Sequence, residues 1–201
     1  MLAVVDYGIG NLRSAVKAMA AVGREARLID DPGDLKGASG VVLPGVGAFG
    51  RCTAALDERG WRQPLAEVLE QGTPFLGICV GFQMLYEGSD ESPEARGLGV
   101  FEGTVTKMGP GVKLPQIQWN RLDLLRPSTL LPGEAAGEWV YFVHSFAAPV
   151  GPETTATCAY PTPIAAAVEH DRVFGVQFHP EKSGRAGLEI LARFARLAEE
   201  A

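Results

Sequence analysis

The chain has 201 residues, a formal net charge of −6, and 46% hydrophobic against 21% charged residues. Those are the proportions of a soluble globular protein, and the length suits a single domain over 1–201 with a sizeable core. The acidic balance argues against a nucleic-acid surface, which needs clustered Lys and Arg, and no apolar run is long enough for a membrane span.

Met1-Leu2-Ala3-Val4 reads as the start of a first strand, Leu2 to Val5, rather than as a signal peptide. Apolar residues at Leu12, Ala15, Val16, Met19 and Ala20 predict a helix over Asn11 to Val22. Strands are expected at Arg24 to Ile29 and Gly40 to Leu43, then helices at Ala48 to Asp57 and Trp61 to Glu70. A buried strand follows at Phe75 to Ile78, and a further helical stretch at Phe82 to Tyr86. Strands and helices alternating at these intervals indicate a mostly parallel central sheet flanked by helices, an α/β fold. The second half is β-rich, with strands expected at Leu98 to Met108, Ile117 to Leu124, Trp139 to Val143, Thr157 to Tyr160, Ile164 to Val168 and Val173 to Phe178. A helix over Arg185 to Ala198 closes the chain.

The three cysteines, Cys52, Cys79 and Cys158, form no CxxC pair. Neither a disulfide framework nor a zinc site is expected, and a reducing cytoplasm is the natural compartment. Cys79 stands apart because Gly77 and Gly81 flank it at a strand-to-helix turn. That is the Gly-x-nucleophile-x-Gly elbow, whose small neighbours allow a sharp turn that presents the nucleophile. The N-terminus of the following helix is expected to favour the thiolate. A buried structural cysteine is the competing reading.

A nucleophilic thiol needs a base, and the base an orienting partner. Of the three histidines, His179 begins His-Pro-Glu-Lys directly after a predicted strand. In an extended segment His179 and Glu181 share a face, so the carboxylate can hold the imidazole in one tautomer. An oxyanion needs donors, for which the Val80 N–H and the loop Pro44 to Gly50, with Gly45, Val46 and Gly47, are the candidates. The loop lacks the Lys-Ser/Thr end of a P-loop and the GxGxxG spacing of a dinucleotide site.

Together, Gly-Ile-Cys-Val-Gly-Phe-Gln, Pro-Gly-Val-Gly and Gln-Phe-His-Pro-Glu-Lys resemble the class I (Cys-His-Glu) glutamine amidotransferases. Asp6 to Leu12, Pro-Gly-Val-Gly-Ala-Phe, Gln118-Trp119-Asn120 and Tyr141 to Phe146 further resemble the glutaminase-subunit family of imidazole glycerol phosphate synthase, in histidine biosynthesis. The similarity runs from Val4 to Lys182. One departure stands out: the family usually has His and Gly where this chain has Gln116 and Gln118. With the Cys-His-Glu set intact, the departure is expected to touch only the partner-facing surface.

The resemblance implies glutamine hydrolysis with Cys79 as nucleophile, His179 as proton carrier and Glu181 as its orienting partner, without metal or other cofactor. Gln83, one helical turn beyond Cys79, is a candidate contact for the glutamine backbone, and Glu91 for its α-ammonium. Backbone groups of His144, Ser145 and Phe146 are expected to line the pocket. The implied partner is a (β/α)₈-barrel cyclase subunit, in a heterodimer that uses the ammonia to make imidazole glycerol phosphate and AICAR. Tyr7, Asn11, Arg13, Trp119, Asn120, Tyr141 and Lys182 are the expected contact residues. Competing readings are a class I glutaminase subunit serving another biosynthetic synthase, a cysteine hydrolase or peptidase on a similar elbow, and a non-catalytic module.

Overall fold

The structure is a computed structural model that describes residues 1–200. In the first half, β1 (Leu2–Val5), α1 (Leu12–Ala21), β2 (Ala26–Ile29) and β3 (Gly40–Gly45) are followed by α2 (Phe49–Glu58), α3 (Arg62–Glu70), β4 (Phe75–Cys79) and the single turn α4 (Val80–Gln83). The second half adds β5 (Tyr86–Ser89), β6 (Phe101–Lys107), β7 (Gln116–Arg121), β8 (Asp123–Leu124), β9 (Trp139–His144) and β10 (Phe146–Ala147). It ends with β11 (Thr154–Ala159), β12 (Pro163–His170), β13 (Val173–Val176) and α5 (Gly184–Glu199).

The main sheet has eight strands in the order β2-β1-β3-β4-β13-β12-β11-β8. The five from β2 to β13 run parallel, and β12, β11 and β8 extend them antiparallel. Every residue of β1, β3, β4 and β13 is buried, as expected of parallel strands covered on both faces. Helix α5 presents Ala186, Ile190, Leu191, Phe194 and Ala198 inward at helical spacing, and the Phe194 ring meets Phe174 of β13 edge-on at 6.1 Å. Burying one such aromatic stabilises the fold by about 3 kcal/mol. Strand order reverses at β1, so the carboxyl ends of β1, β3, β4 and β13 open onto one crevice, where α/β sheets hold ligands. Among the described residues no helix is long and apolar enough to cross a membrane.

Three expectations need correction. The helix predicted over Phe82 to Tyr86 stops at Gln83, because the carbonyls of Met84 and Leu85 are taken by N–H groups of Leu98, Val100 and Phe101. Tyr86 instead starts β5, its ring between Phe82 and Phe101 at 5.5 Å from each. The strand predicted over Ile117 to Leu124 is broken at the buried Leu122, where the chain leaves the β7–β9 ribbon and joins the main sheet as β8. Finally, β3 continues through Pro44 and Gly45, so the expected loop starts only at Val46.

Candidate active site

Cys79 ends β4 with φ 55° and ψ −111°. A side-chain-bearing residue held in that region stores about 1–3 kcal/mol of backbone strain, and the elbow can hold it only because its surroundings are fixed. A Cβ on Gly81 would lie 1.8 Å from the Leu43 carbonyl oxygen, and one on Gly45 would lie 2.5 Å from the Gly81 nitrogen. Glycine is therefore required at both positions, and β3 touches the elbow backbone to backbone. The helix-dipole expectation is weakened, because α4 is a single turn of four residues and sums few peptide dipoles. What survives is local: the Val80 N–H belongs to the first turn and has no intrahelical acceptor.

The imidazole of His179, two residues beyond Gln177 at the end of β13, donates from Nδ1 to Glu181 Oε1 at 2.8 Å. The pair closes through a 3₁₀ turn, Pro180–Lys182, rather than through the extended segment expected. Both side chains are 2% exposed. The same Oε1 accepts from Asn11 Nδ2 at 3.1 Å, so Asn11 adds a fourth member behind the Cys-His-Glu set. Burial alone would lower the His179 pKa; the nearby Cys79 thiol and the Glu181 carboxylate outweigh it and raise the value to about 10. Burial likewise pushes Glu181 up, yet its contacts with His179 and Asn11 leave its pKa below the usual carboxylate range. His179 Nε2 is buried with no hydrogen-bond partner among the described residues and lines the same pocket as Cys79. Nucleophile–base contacts are commonly loose before substrate binds.

The His179 backbone is clamped as well. Its N–H donates to the Tyr141 carbonyl at 2.9 Å, and its carbonyl accepts from Ser183 Oγ, which in turn accepts the Tyr141 N–H at 3.0 Å. Ser183 was not singled out in the sequence, where a Ser after His-Pro-Glu-Lys looks like an ordinary helix cap.

A cavity of about 270 Å³ opens beside Cys79 and His179. Val46, Gly47, Val80, Gln83, Glu91, His144, Ser145 and Phe146 all line it; of the expected substrate-side residues only Gly45 does not. Gln83 is buried, and its amide donates to the Phe146 carbonyl and to Gln177 Oε1, each at 2.9 Å. Its N–H groups are thus committed to the wall rather than offered to a ligand. Gln177, missed in the sequence, approaches the thiol with Nε2 at 3.8 Å from Sγ. Its signal was its place two residues before His179 along one extended segment. Glu91 Oε2 accepts the Phe49 N–H at 2.7 Å, capping α2 while the carboxylate faces the pocket.

His144 places Nδ1 2.8 Å from the Phe146 carbonyl. A carbonyl only accepts, so Nδ1 carries the proton and the buried Nε2 presents a lone pair. Burial, chiefly, and the neighbouring His179 lower its pKa to about 4, against the opposing pull of that carbonyl. Gln116 faces His144 across the ribbon and is fully buried. The departure at Gln116 is therefore internal, not on a partner-facing surface as expected.

The expected contact residues separate into two groups. Tyr7 is fully buried with its hydroxyl on the Pro44 carbonyl, so it cannot be a surface contact. The side chain of Asn11 is spent on Glu181, and that of Asn120 on the Ala159 carbonyl and the Arg121 N–H. Arg13 and Lys182 are exposed, Trp119 is 47% exposed, and Tyr141 is half-buried edge-on to Trp119. Ile117 and Trp139, which were not singled out, are exposed on the same face of the ribbon.

The family model described as "Glutamine amidotransferase class-I" matches residues 3–197. The subunit HisH of imidazole glycerol phosphate synthase from Moorella thermoacetica is 42% identical, over 100% of this chain and 96% of its own length. The same subunit from Methanothermobacter thermautotrophicus is 44% identical over 98% of both chains. The chain belongs to the HisH family of class-I glutamine amidotransferases. A solved glutamine amidotransferase superposes with a TM-score of 0.75 at 22% identity over 98% of both chains. PurLQS from Thermotoga maritima gives 0.74 at 20% identity, over 99% of this amidotransferase and 97% of that chain. These two likenesses show the fold.

Proposed function

We infer that this chain is the glutaminase subunit of an imidazole glycerol phosphate synthase, hydrolysing glutamine to glutamate and ammonia in histidine biosynthesis. The observation that carries the reading is one pocket lined by the Cys79 thiol and the buried His179 imidazole, with the buried Glu181 carboxylate behind that imidazole, in a chain 42–44% identical to HisH subunits end to end.

The Cys79 thiolate attacks the side-chain amide carbon of glutamine. The imidazolium of His179, favoured by its raised pKa, gives its proton to the departing nitrogen, and ammonia leaves. Neutral His179 then takes a proton from water, which attacks the thioester carbon and releases glutamate with the thiol restored. Glu181 keeps Nδ1 as the donor side, so that Nε2 faces the reaction. The Val80 N–H and an N–H of the Gly45 to Gly47 segment hold the oxyanion in both steps; one such donor contributes about 3–4 kcal/mol.

Ammonia made here is used by a second protein, a (β/α)₈-barrel cyclase subunit. Its docking surface is the outer face of the β7–β9 ribbon, where Ile117, Trp119, Tyr141 and Trp139 sit beside Lys182. Exposed large apolar residues on one face are unusual, and Trp and Tyr are frequent interface anchors. Lys182 Nζ lies 5.9 Å from the Tyr141 ring centroid. The Tyr141 backbone holds the His179 backbone, which links that face to the pocket by two hydrogen bonds through Ser183 and one direct.

The test reconstitutes the chain with a barrel cyclase and its phosphoribulosyl-formimino-AICAR substrate. Glutamine should support imidazole glycerol phosphate formation by the wild type. Cys79→Ala should support it with ammonium salts only. Failure to bind the cyclase, or product formation from glutamine by Cys79→Ala, would remove the reading.

A further inference from the structure

Tyr7 and Cys52 lie outside the Cys-His-Glu set, yet both donate to the strand that passes the Cys79 elbow. Tyr7 Oη–H donates to the Pro44 carbonyl at 2.9 Å, and Cys52 Sγ–H donates to the Val46 carbonyl at 3.4 Å. The two donors come from different elements, one just beyond β1 and the other in the first turn of α2. Both side chains are fully buried.

The strand needs these anchors because its ladder has run out. The register of β1 with β3 ends at Val4–Val42, while β3 continues beside β4 as far as Gly45–Cys79. Past Val42 the β1 side of β3 therefore lacks a strand neighbour, and the Tyr7 hydroxyl takes the Pro44 carbonyl that a longer β1 would have met. Val46 lies outside β3 altogether, and the Cys52 thiol takes its carbonyl. Between the two anchored carbonyls sits one peptide, Gly45–Val46, whose N–H belongs to a pocket-lining residue. Pinning the peptides on either side fixes where the one between lies relative to the elbow, while its plane can still turn about the Gly45 and Val46 torsions.

We propose that Tyr7 and Cys52 are positioning residues for the oxyanion segment Pro44 to Val46, locating the peptide that carries the Val46 N–H through the carbonyls on either side of it. This rests on the glutaminase reading. The chemistry fits the residue types: each supplies one donor in a dry setting, and burial raises both the Tyr7 hydroxyl and the Cys52 thiol above their ordinary pKa, so both keep their protons. An anionic group at either position would repel the carbonyl it faces. The donors are also unequal, since an S–H donates more weakly than an O–H.

The test measures glutaminase kinetics of the full-length protein in its synthase complex for Tyr7→Phe, Cys52→Ala and Cys52→Ser. Iodoacetamide alkylation of Cys79, followed by peptide mass mapping, runs alongside. Alkylation needs the thiolate but no oxyanion. Tyr7→Phe should lower kcat about 10- to 100-fold, the scale of a small misplacement of a catalytic donor. KM for glutamine and the Cys79 alkylation rate should stay near wild type. Cys52→Ala should show a smaller loss of kcat, and Cys52→Ser, which keeps a donor, should recover part of it. The proposal is overturned if Tyr7→Phe and Cys52→Ala both retain wild-type kcat, or if alkylation falls in step with kcat, which marks general distortion of the elbow. An inactive wild-type complex would instead refute the glutaminase reading itself, so the two failures are distinct.

Discussion

Replacing Glu181 by Gln changes one oxygen for an NH₂ and removes one charge from a pair that is 2% exposed on both sides. In the wild type, Cys79 and Glu181 together raise His179 from an ordinary 6.5 to about 10. An opposite charge at hydrogen-bond range accounts for about 1–3 pH units of such a change. Glu181→Gln should therefore move the alkaline limb of kcat/KM, set by loss of the imidazolium, down by at least about one pH unit. Stability should respond with the same sign. A raised histidine stabilises the fold fully below pH 6.5, and this contribution is lost as pH rises through about 10. Chemical denaturation between pH 6.5 and 10 should thus show a shallower fall in the variant, by about 1.4 kcal/mol for each pH unit the pKa drops. A constant cost is expected on top, because Oε2 is buried with no hydrogen-bond partner among the described residues. An amide nitrogen placed there costs about 1–3 kcal/mol. An unchanged alkaline limb together with an unchanged pH slope of stability would refute the argument that Glu181 holds the proton on His179.

Other outcomes follow from single contacts. Asn11→Ala removes the second donor to Glu181 Oε1 and should lower kcat by about tenfold with little change in KM, measured by ammonia release in the complex. Gly81→Ala drives a Cβ to 1.8 Å from the Leu43 carbonyl, so unfolding experiments should show a loss above about 2 kcal/mol together with loss of activity. His144 has its pKa lowered to about 4, so its contribution is fully present above pH 6.5 and disappears as pH falls towards 4, about 3 kcal/mol in all. His144→Gln should flatten that acid-side loss in denaturation curves taken at successive pH values. Trp119→Ala should weaken cyclase binding by about 2 kcal/mol in titration calorimetry, while leaving the fold's melting temperature close to wild type because the residue is 47% exposed.

The parallel half of the fold was legible because its strands are unbroken apolar runs and its helices keep a clean stripe, as in Leu2 to Val5 and Arg185 to Ala198. The Cys-His-Glu set was legible for a chemical reason: Gly77 and Gly81 around Cys79 have few other uses, and His179 is one of only three histidines. Contacts made across the fold were not. Nothing local distinguishes Ser183 from an ordinary polar residue, and Gln177 is marked only by its spacing from His179; their roles appear only when β13 lies beside β4 and the β7–β9 ribbon reaches the 3₁₀ turn. Tyr7 was misplaced for the same reason. An aromatic residue in a glycine-rich loop after a strand looks exposed, but here that loop folds over the end of β3 and buries the ring. The strand β5 hid because Phe82 to Tyr86 keeps helical spacing, and the partners that take the Met84 and Leu85 carbonyls lie more than a dozen residues later.

The most direct test is ammonia release from glutamine by the synthase complex, comparing wild type with Cys79→Ala under saturating cyclase ligand. Release by the wild type and none above background by the variant is the predicted result. Release by Cys79→Ala at a rate near wild type would contradict the assignment of the thiol as the group that attacks glutamine.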